Sequence, residues 1–333
     1  MRTAKGMILK MGIIHFLNVN NGDCSIIEHN TGRISLIDVC NARKEEKIIE
    51  RMESVAGSGN LNQKAHPVNP IQYLRNHNIN SIFRFVLTHP DMDHMDGIKD
   101  LVEEFKPANF YDTDNKAEKD FSRSTIYRED DWKFYKNLRD SNPQTDPKRL
   151  TLFSGDDNIY RTKNEDDTRP GDAFYILSPT KDLVEEANRC DDYNDCSYVI
   201  LYEGKGGKVL FSGDAHNKTW EHILENHESK VSEIDLLIAP HHGRKSSRDY
   251  SFLDTLKPKL SFFGNAESKN LAYDAWNYRG LPYITNNQAG CMVVDANKPN
   301  MPVYVTNQKF ANQRTTYTWY SDIYKGWYLQ DIK

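Results

Sequence analysis

Apolar positions along the chain follow two periods. Short β-branched and aromatic runs of strand length recur at 13–19, 24–28, 34–38, 81–86, 109–111, 173–177, 197–203, 208–211, 234–239, 260–263, 283–285, 290–295 and 303–306. Between them, apolar residues three and four apart predict helices over 43–52, 70–77, 98–105, 181–188 and 220–224. The turns Asn20-Asn21-Gly22-Asp23 and Thr31-Gly32-Arg33 join the first three strands into a meander, and the last two strands close a second one. From residue 173 strands and helices alternate, so the class is α/β.

Two segments depart from this pattern. Over 112–172 charges are dense, apolar residues sparse, and Trp132, Phe134, Tyr135 and Leu138 mark one amphipathic helix. The segment reads as an insertion over the core of a single domain spanning 1–333, either solvated surface or a lid beside a site. The tail over 307–333 carries Tyr317, Trp319, Tyr320, Tyr324, Trp327 and Tyr328. Such aromatics complete a core or cover a sheet edge, with partner binding or base stacking as the alternative. The Gly/Ser/Asn-rich stretch 57–62 reads as mobile surface.

Composition narrows the class. A chain of 333 residues supports a proper core. It has no apolar run long enough for a membrane span, and no export signal is read before residue 18. Its five cysteines lack paired metal-ligand spacing, which points to free thiols in a reducing, cytoplasmic compartment. Non-specific grip on long nucleic acid normally needs a basic face, and the net charge of −5 makes any such contact local without supplying or excluding that partner.

The chemistry sits at strand ends. The run 81–86 leads into Thr88-His89-Pro90-Asp91-Met92-Asp93-His94-Met95-Asp96-Gly97, and Pro90 forces a turn across the strand tip. Imidazoles and carboxylates crowded on one loop suit a divalent metal. The alternative is a polar helix start capped by Asp93 or Asp96. Similar junctions follow at Asp38, at Ser212-Gly213-Asp214, and at Pro240-His241-His242-Gly243, with Ser246 and Ser247 expected to open the next helix.

This ordered set resembles the metallo-β-lactamase fold, in which two face-to-face sheets carry helices outside, an αββα sandwich. It looks closest to the ComEC-type branch, named for the hydrolase domain of a bacterial DNA-uptake channel. The matching residues are 16–19 with Gly22-Asp23, Leu36-Ile37-Asp38, 89–94, Asn194-Asp195-Cys196-Ser197, Ser212-Gly213-Asp214, His241-His242-Gly243, and Thr285 with Gly290. The resemblance implies that Asp38 supports the site. It implies Asp93 and His94 as ligands of one metal, Asp214 as a bridging carboxylate, and His242 completing that shell with His241 facing the substrate. The choice between His241 and His242 as ligand stays open. His89 and Asp91 would belong to a second metal.

Two departures from the general pattern matter. Asp91 stands where that pattern has a second histidine, and no histidine occurs near 194–197. A second position poor in nitrogen favours Mn²⁺ over two tight Zn²⁺ ions, so one or two divalent ions, Mn²⁺ or Zn²⁺, are expected. The implied activity is a phosphodiesterase or nuclease using a metal-activated hydroxide on DNA or RNA, with Asp93, Asp214 and His241 in the reacting set. An imidazolium at His241, or Arg244 and Lys245, would stabilise the phosphorus centre or leaving oxygen. The alternatives are a hydrolase of a small phosphodiester, such as a phosphocholine ester or nucleotide, and a metal-stabilised interaction module without turnover. Protein partners would use the insertion or the tail.

Overall fold

A computed structural model describes residues 12–44, 61–123, 125–141, 146–157, 171–266 and 268–333. The expected helix over 43–52 lies almost wholly outside the described residues, as do residues 1–11 and most of the 57–62 loop.

The first sheet opens with the expected meander: β1 (Ile13–Phe16), β2 (Ser25–Glu28) and β3 (Ile34–Ile37) pair antiparallel. β4 (Arg84–Val86), β5 (Asn109–Tyr111) and β6 (Lys148–Leu150) then add in parallel. Parallel neighbours need crossovers. Here these carry α1 (Pro70–Asn76), α2 (Ile98–Phe105) and α3 (Glu129–Asp140). The second sheet repeats the plan. β7 (Phe174–Ser178), β8 (Val199–Glu203) and β9 (Lys208–Phe211) are antiparallel, with α4 (Lys181–Cys190) after β7. β10 (Leu236–Ile238), β11 (Leu260–Phe263) and β12 (Tyr283–Thr285) continue in parallel through α5 (Asn217–Val231), α6 (Phe252–Leu256) and α7 (Tyr273–Tyr278). After α8 (Asn286–Ala289) the chain returns to the first sheet. β13 (Met292–Asp295) pairs with β1, β14 (Pro302–Val305) follows, and beyond α9 (Gln308–Arg314) β15 (Tyr320–Ser321) and β16 (Gly326–Asp331) finish that edge.

The period-two alternation sorts side chains into layers. Ile37, Val86 and Tyr111 of the first sheet meet Ile200, Phe211, Ile238 and Phe262 of the second in a core between the sheets. Their chain neighbours Leu36, Phe85 and Phe110 face α1 to α3, whereas Leu201, Leu210, Leu237 and Phe263 face α5 to α7. These three cores separate four layers, the expected αββα sandwich.

Several elements differ from the sequence reading. β4 and β10 are three residues each, shorter than the apolar runs 81–86 and 234–239, although flanking residues such as Phe83, Leu87 and Ala239 still bond to neighbouring strands. Ser246 and Ser247 do not open a helix; α6 starts at Phe252, since the intervening residues turn around the buried Arg248. Part of the charge-rich segment is built in, with Trp132 and Tyr135 of α3 in the outer core and β6 extending the sheet. In the tail, Tyr324 packs with Tyr304, whereas Tyr317, Trp319 and Tyr320 are exposed.

A buried charge network ties the sheets together. Arg84 Nη2 donates to Asp172 Oδ2 (2.5 Å). His29 donates from Nδ1 to the Asp172 carbonyl (3.1 Å) and accepts at Nε2 from Ser35 Oγ (2.7 Å). Burial first, then the Arg84 guanidinium, lowers His29 to about 3, so the folded state excludes a proton that the unfolded chain takes up below 6.5. Stability is therefore full above pH 6.5 and falls with acid at about 1.4 kcal/mol per pH unit. Urea unfolding between pH 7 and 4 should show this loss, with a shallower slope in His29→Gln.

Candidate metal centre

The carboxyl ends of β3, β4, β9 and β10 converge, the location where open α/β sheets carry their sites. The residue after β3 is Asp38, buried and in the left-handed region (φ 56°). Its Oδ1 accepts the Thr88 backbone N–H and its Oδ2 the Thr88 hydroxyl, both at 2.7 Å. Oδ2 also accepts His94 Nδ1 at 2.8 Å. With its proton given to Asp38, Thr88 Oγ1 accepts from His89 Nδ1 at 3.1 Å. Both rings are thus held as the tautomer whose free lone pair is on Nε2.

The second sheet brings the carboxylate. Gly213 takes φ 48°, and a Cβ there would lie 2.9 Å from Thr88 Cβ, so only glycine lets the two strand tips approach this closely. Asp214 then reaches across, with Oδ1 3.3 Å from His94 Nε2 and Oδ2 3.7 Å from His89 Nε2. Its backbone is fixed on both sides: Ser197 Oγ accepts its N–H (3.2 Å), and its carbonyl accepts from Arg248 Nη2 (2.9 Å). Beyond β10, His241 and His242 both adopt positive φ, a strain of about 1–3 kcal/mol each that such sites commonly carry. His242 is fully buried, with Nδ1 2.9 Å from Asp23 Oδ1 and Nε2 3.3 Å from Asp93 Oδ2. His241 is partly exposed, its Nε2 3.6 Å from Asp214 Oδ2.

Two groups of donors lie close enough to hold an ion: His89, His94 and Asp214, and Asp93, His94 and His242. Among the described residues, His89 Nε2, His94 Nε2 and Asp214 Oδ1 are buried without a hydrogen-bond partner. Buried polar atoms without partners are costly, and neutral imidazole nitrogen with carboxylate oxygen is the donor set of a divalent metal. The residues therefore fit such an ion. Asp91 lies at the rim, 3.5 Å from His89 Nε2 through Oδ2 and 2.6 Å from Lys119 Nζ through Oδ1.

Electrostatics agree. Burial alone would lower His94, but Asp214 and Asp38 hold it well above the ordinary imidazole range. Burial likewise opposes the rise of His242 to about 10, which Asp23 and Asp214 drive. Asp214 stays well below the carboxylate range despite burial, through His94 and His89. The same carboxylates that raise these imidazoles would favour a cation among them. His241 differs: burial, against the pull of Asp214, lowers it to about 4. An imidazolium there, expected from sequence, is disfavoured near neutral pH because no carboxylate compensates its desolvation fully. Lys245 Nζ is engaged by Asp274 (2.9 Å).

Asp23, Thr88, Lys119, Ser197 and Arg248 received no role from sequence. Asp23 and Ser197 carried a signal as members of the matching motifs, and a Cβ added at Gly22 beside Asp23 would meet the Asp93 carbonyl at 2.1 Å.

No family model matches the chain, and no curated protein matches it. Solved structures do. One is the metallo-β-lactamase fold protein YhfI from Bacillus subtilis, with TM-score 0.45 and 10% identity over 82% of this chain and 96% of that one. Another is Tm1679, a metal-dependent hydrolase of the β-lactamase superfamily, with TM-score 0.43 and 13% identity over 82% and 95%. A third is a diphosphatase of the PhnP family, with TM-score 0.41 and 12% identity over 82% and 94%.

Asp38→Asn should keep the bulk of the fold but release His94, lowering affinity for Mn²⁺ or Zn²⁺ by about 10–100-fold in chelator competition. Unchanged affinity would separate Asp38 from ligand positioning.

Proposed function

We propose that the chain is a metal-dependent hydrolase acting on phosphodiester bonds. The observation that carries this is the convergence of unpartnered, tautomer-fixed imidazole nitrogens on the Asp214 carboxylate at the strand tips. Asp93, His94, Asp214 and His242 would hold a divalent ion, with His89 beside them. Such an ion supplies water of pKa near 7 and offsets charge growing on a phosphoryl oxygen.

The remaining chemistry belongs to side chains. Asp93 opens more to solvent than Asp214 and, despite burial, is lowered by the His242 hydrogen bond and His94, so it stays ionised and can accept a proton from attacking water. Neutral His241, at the exposed side of Asp214, offers a hydrogen bond to substrate rather than a fixed charge. Asp38, Asp23 and Arg248 hold the ligands in place. DNA or RNA is the substrate class suggested by the ComEC-type likeness of the motifs. The net charge of −5 favours a second reading, a small phosphodiester.

The apo, Mn²⁺, Zn²⁺ and Mg²⁺ forms should be assayed on bis-para-nitrophenyl phosphate and on labelled single- and double-stranded DNA and RNA. Asp93→Ala and Asp214→Ala should each lower turnover by about 10²–10⁴-fold. Cleavage of only the small ester would move the assignment to the second reading, and full activity in either variant would overturn the roles of these two carboxylates.

A further inference from the structure

We propose that the ammonium of Lys119 takes the place of a second cation against Asp91, so that this protein holds a single divalent ion. The inference rests on the metal centre proposed above and adds the number of ions and the residue that sets it.

Both donor groups at the centre draw on His94. Its Nδ1 is committed to Asp38 Oδ2 at 2.8 Å, which leaves Nε2 alone for metal. One lone pair binds one ion. The two groups therefore outline overlapping positions around one nitrogen rather than two separate ions.

The donors left for a second ion are His89 Nε2, His241 Nε2, Asp214 Oδ2 and Asp91, and of these Asp91 is the one that already meets a cation. In the segment between α4 and β8, Ser197 Oγ accepts the Asp214 N–H (3.2 Å) and Asp195 Oδ1 accepts the His216 and Thr219 N–H groups at the start of α5, so these two oxygens are already engaged. Asp91 is itself engaged, 2.6 Å from Lys119 Nζ, and a divalent ion on the same carboxylate would face that ammonium at close range.

Lys119 is held there by its neighbours. Arg139 Nη1 donates to the Ala117 carbonyl (2.8 Å), the Ala117 N–H donates to Asn115 Oδ1 (3.2 Å), and Lys136 Nζ binds Glu118 (2.7 Å). All these residues lie between β5 and β6, so the charge-rich segment supplies a residue to the site. His89 Nε2 then serves the one ion carried by Asp214.

The test is the ion count of the full chain, loaded with Mn²⁺, dialysed, and read by elemental analysis and by electron paramagnetic resonance. Wild type should bind one equivalent with an uncoupled six-line spectrum. Lys119→Ala should bind two, with exchange coupling between them, whereas Lys119→Arg should stay at one. Thermal melts of both variants control for folding. Two equivalents in wild type, or one in a folded Lys119→Ala, would overturn the proposal. No bound ion in wild type would instead overturn the metal centre on which it rests.

Discussion

A neutral imidazole offers a metal one nitrogen, and whatever holds the other decides which. In this protein Asp38 makes that choice twice, directly at His94 Nδ1 and through the Thr88 hydroxyl at His89 Nδ1. Asp23 stands at the corresponding nitrogen of His242. The three Nε2 atoms then aim inward, where Asp214 and Asp93 supply negative charge. Without Asp38 the rings would be free to rotate and the strand tips would keep buried polar atoms with nothing to satisfy them.

The sandwich exists in a form that permits this convergence. Both sheets turn from antiparallel to parallel midway, which places successive strand ends side by side at one rim. The inter-sheet core sets how far apart the rims stand, and Gly213 lets them close. The cost appears as left-handed backbone at Asp38, His241 and His242 and as a buried guanidinium at Arg248. Arg248 offsets its desolvation by binding the Asp214 and Ala215 carbonyls, so the strain and the charge both hold the ligand loop.

Most strand positions, the layer order and the polar residues at each strand tip were legible because each is local. Continuous apolar runs over 199–202 and 209–211 report strands buried on both faces, and His89 to His94 crowd donors into six residues. The supporting residues were not legible for the opposite reason. Asp23 meets His242, Lys119 meets Asp91 and Arg248 meets Asp214 across separations that no window of sequence spans. In the charged segment the helix was legible from Trp132, Phe134, Tyr135 and Leu138, whereas β6 was not, because Lys148-Arg149-Leu150 carries little apolar pattern. β15 and β16 were missed because their mixed polar and aromatic residues, many of them partly exposed, show no strict apolar alternation. The imidazolium offered for His241 as one option is opposed by burial, which sequence does not display.

The most direct measurement is anomalous diffraction at the metal edge from crystals of the full chain loaded with Mn²⁺ or Zn²⁺. A peak within about 2.0–2.2 Å of His94 Nε2, with His242 Nε2 and oxygens of Asp93 and Asp214 in the same shell, is the expected result. A peak elsewhere, or one whose shell omits His94, would contradict the account.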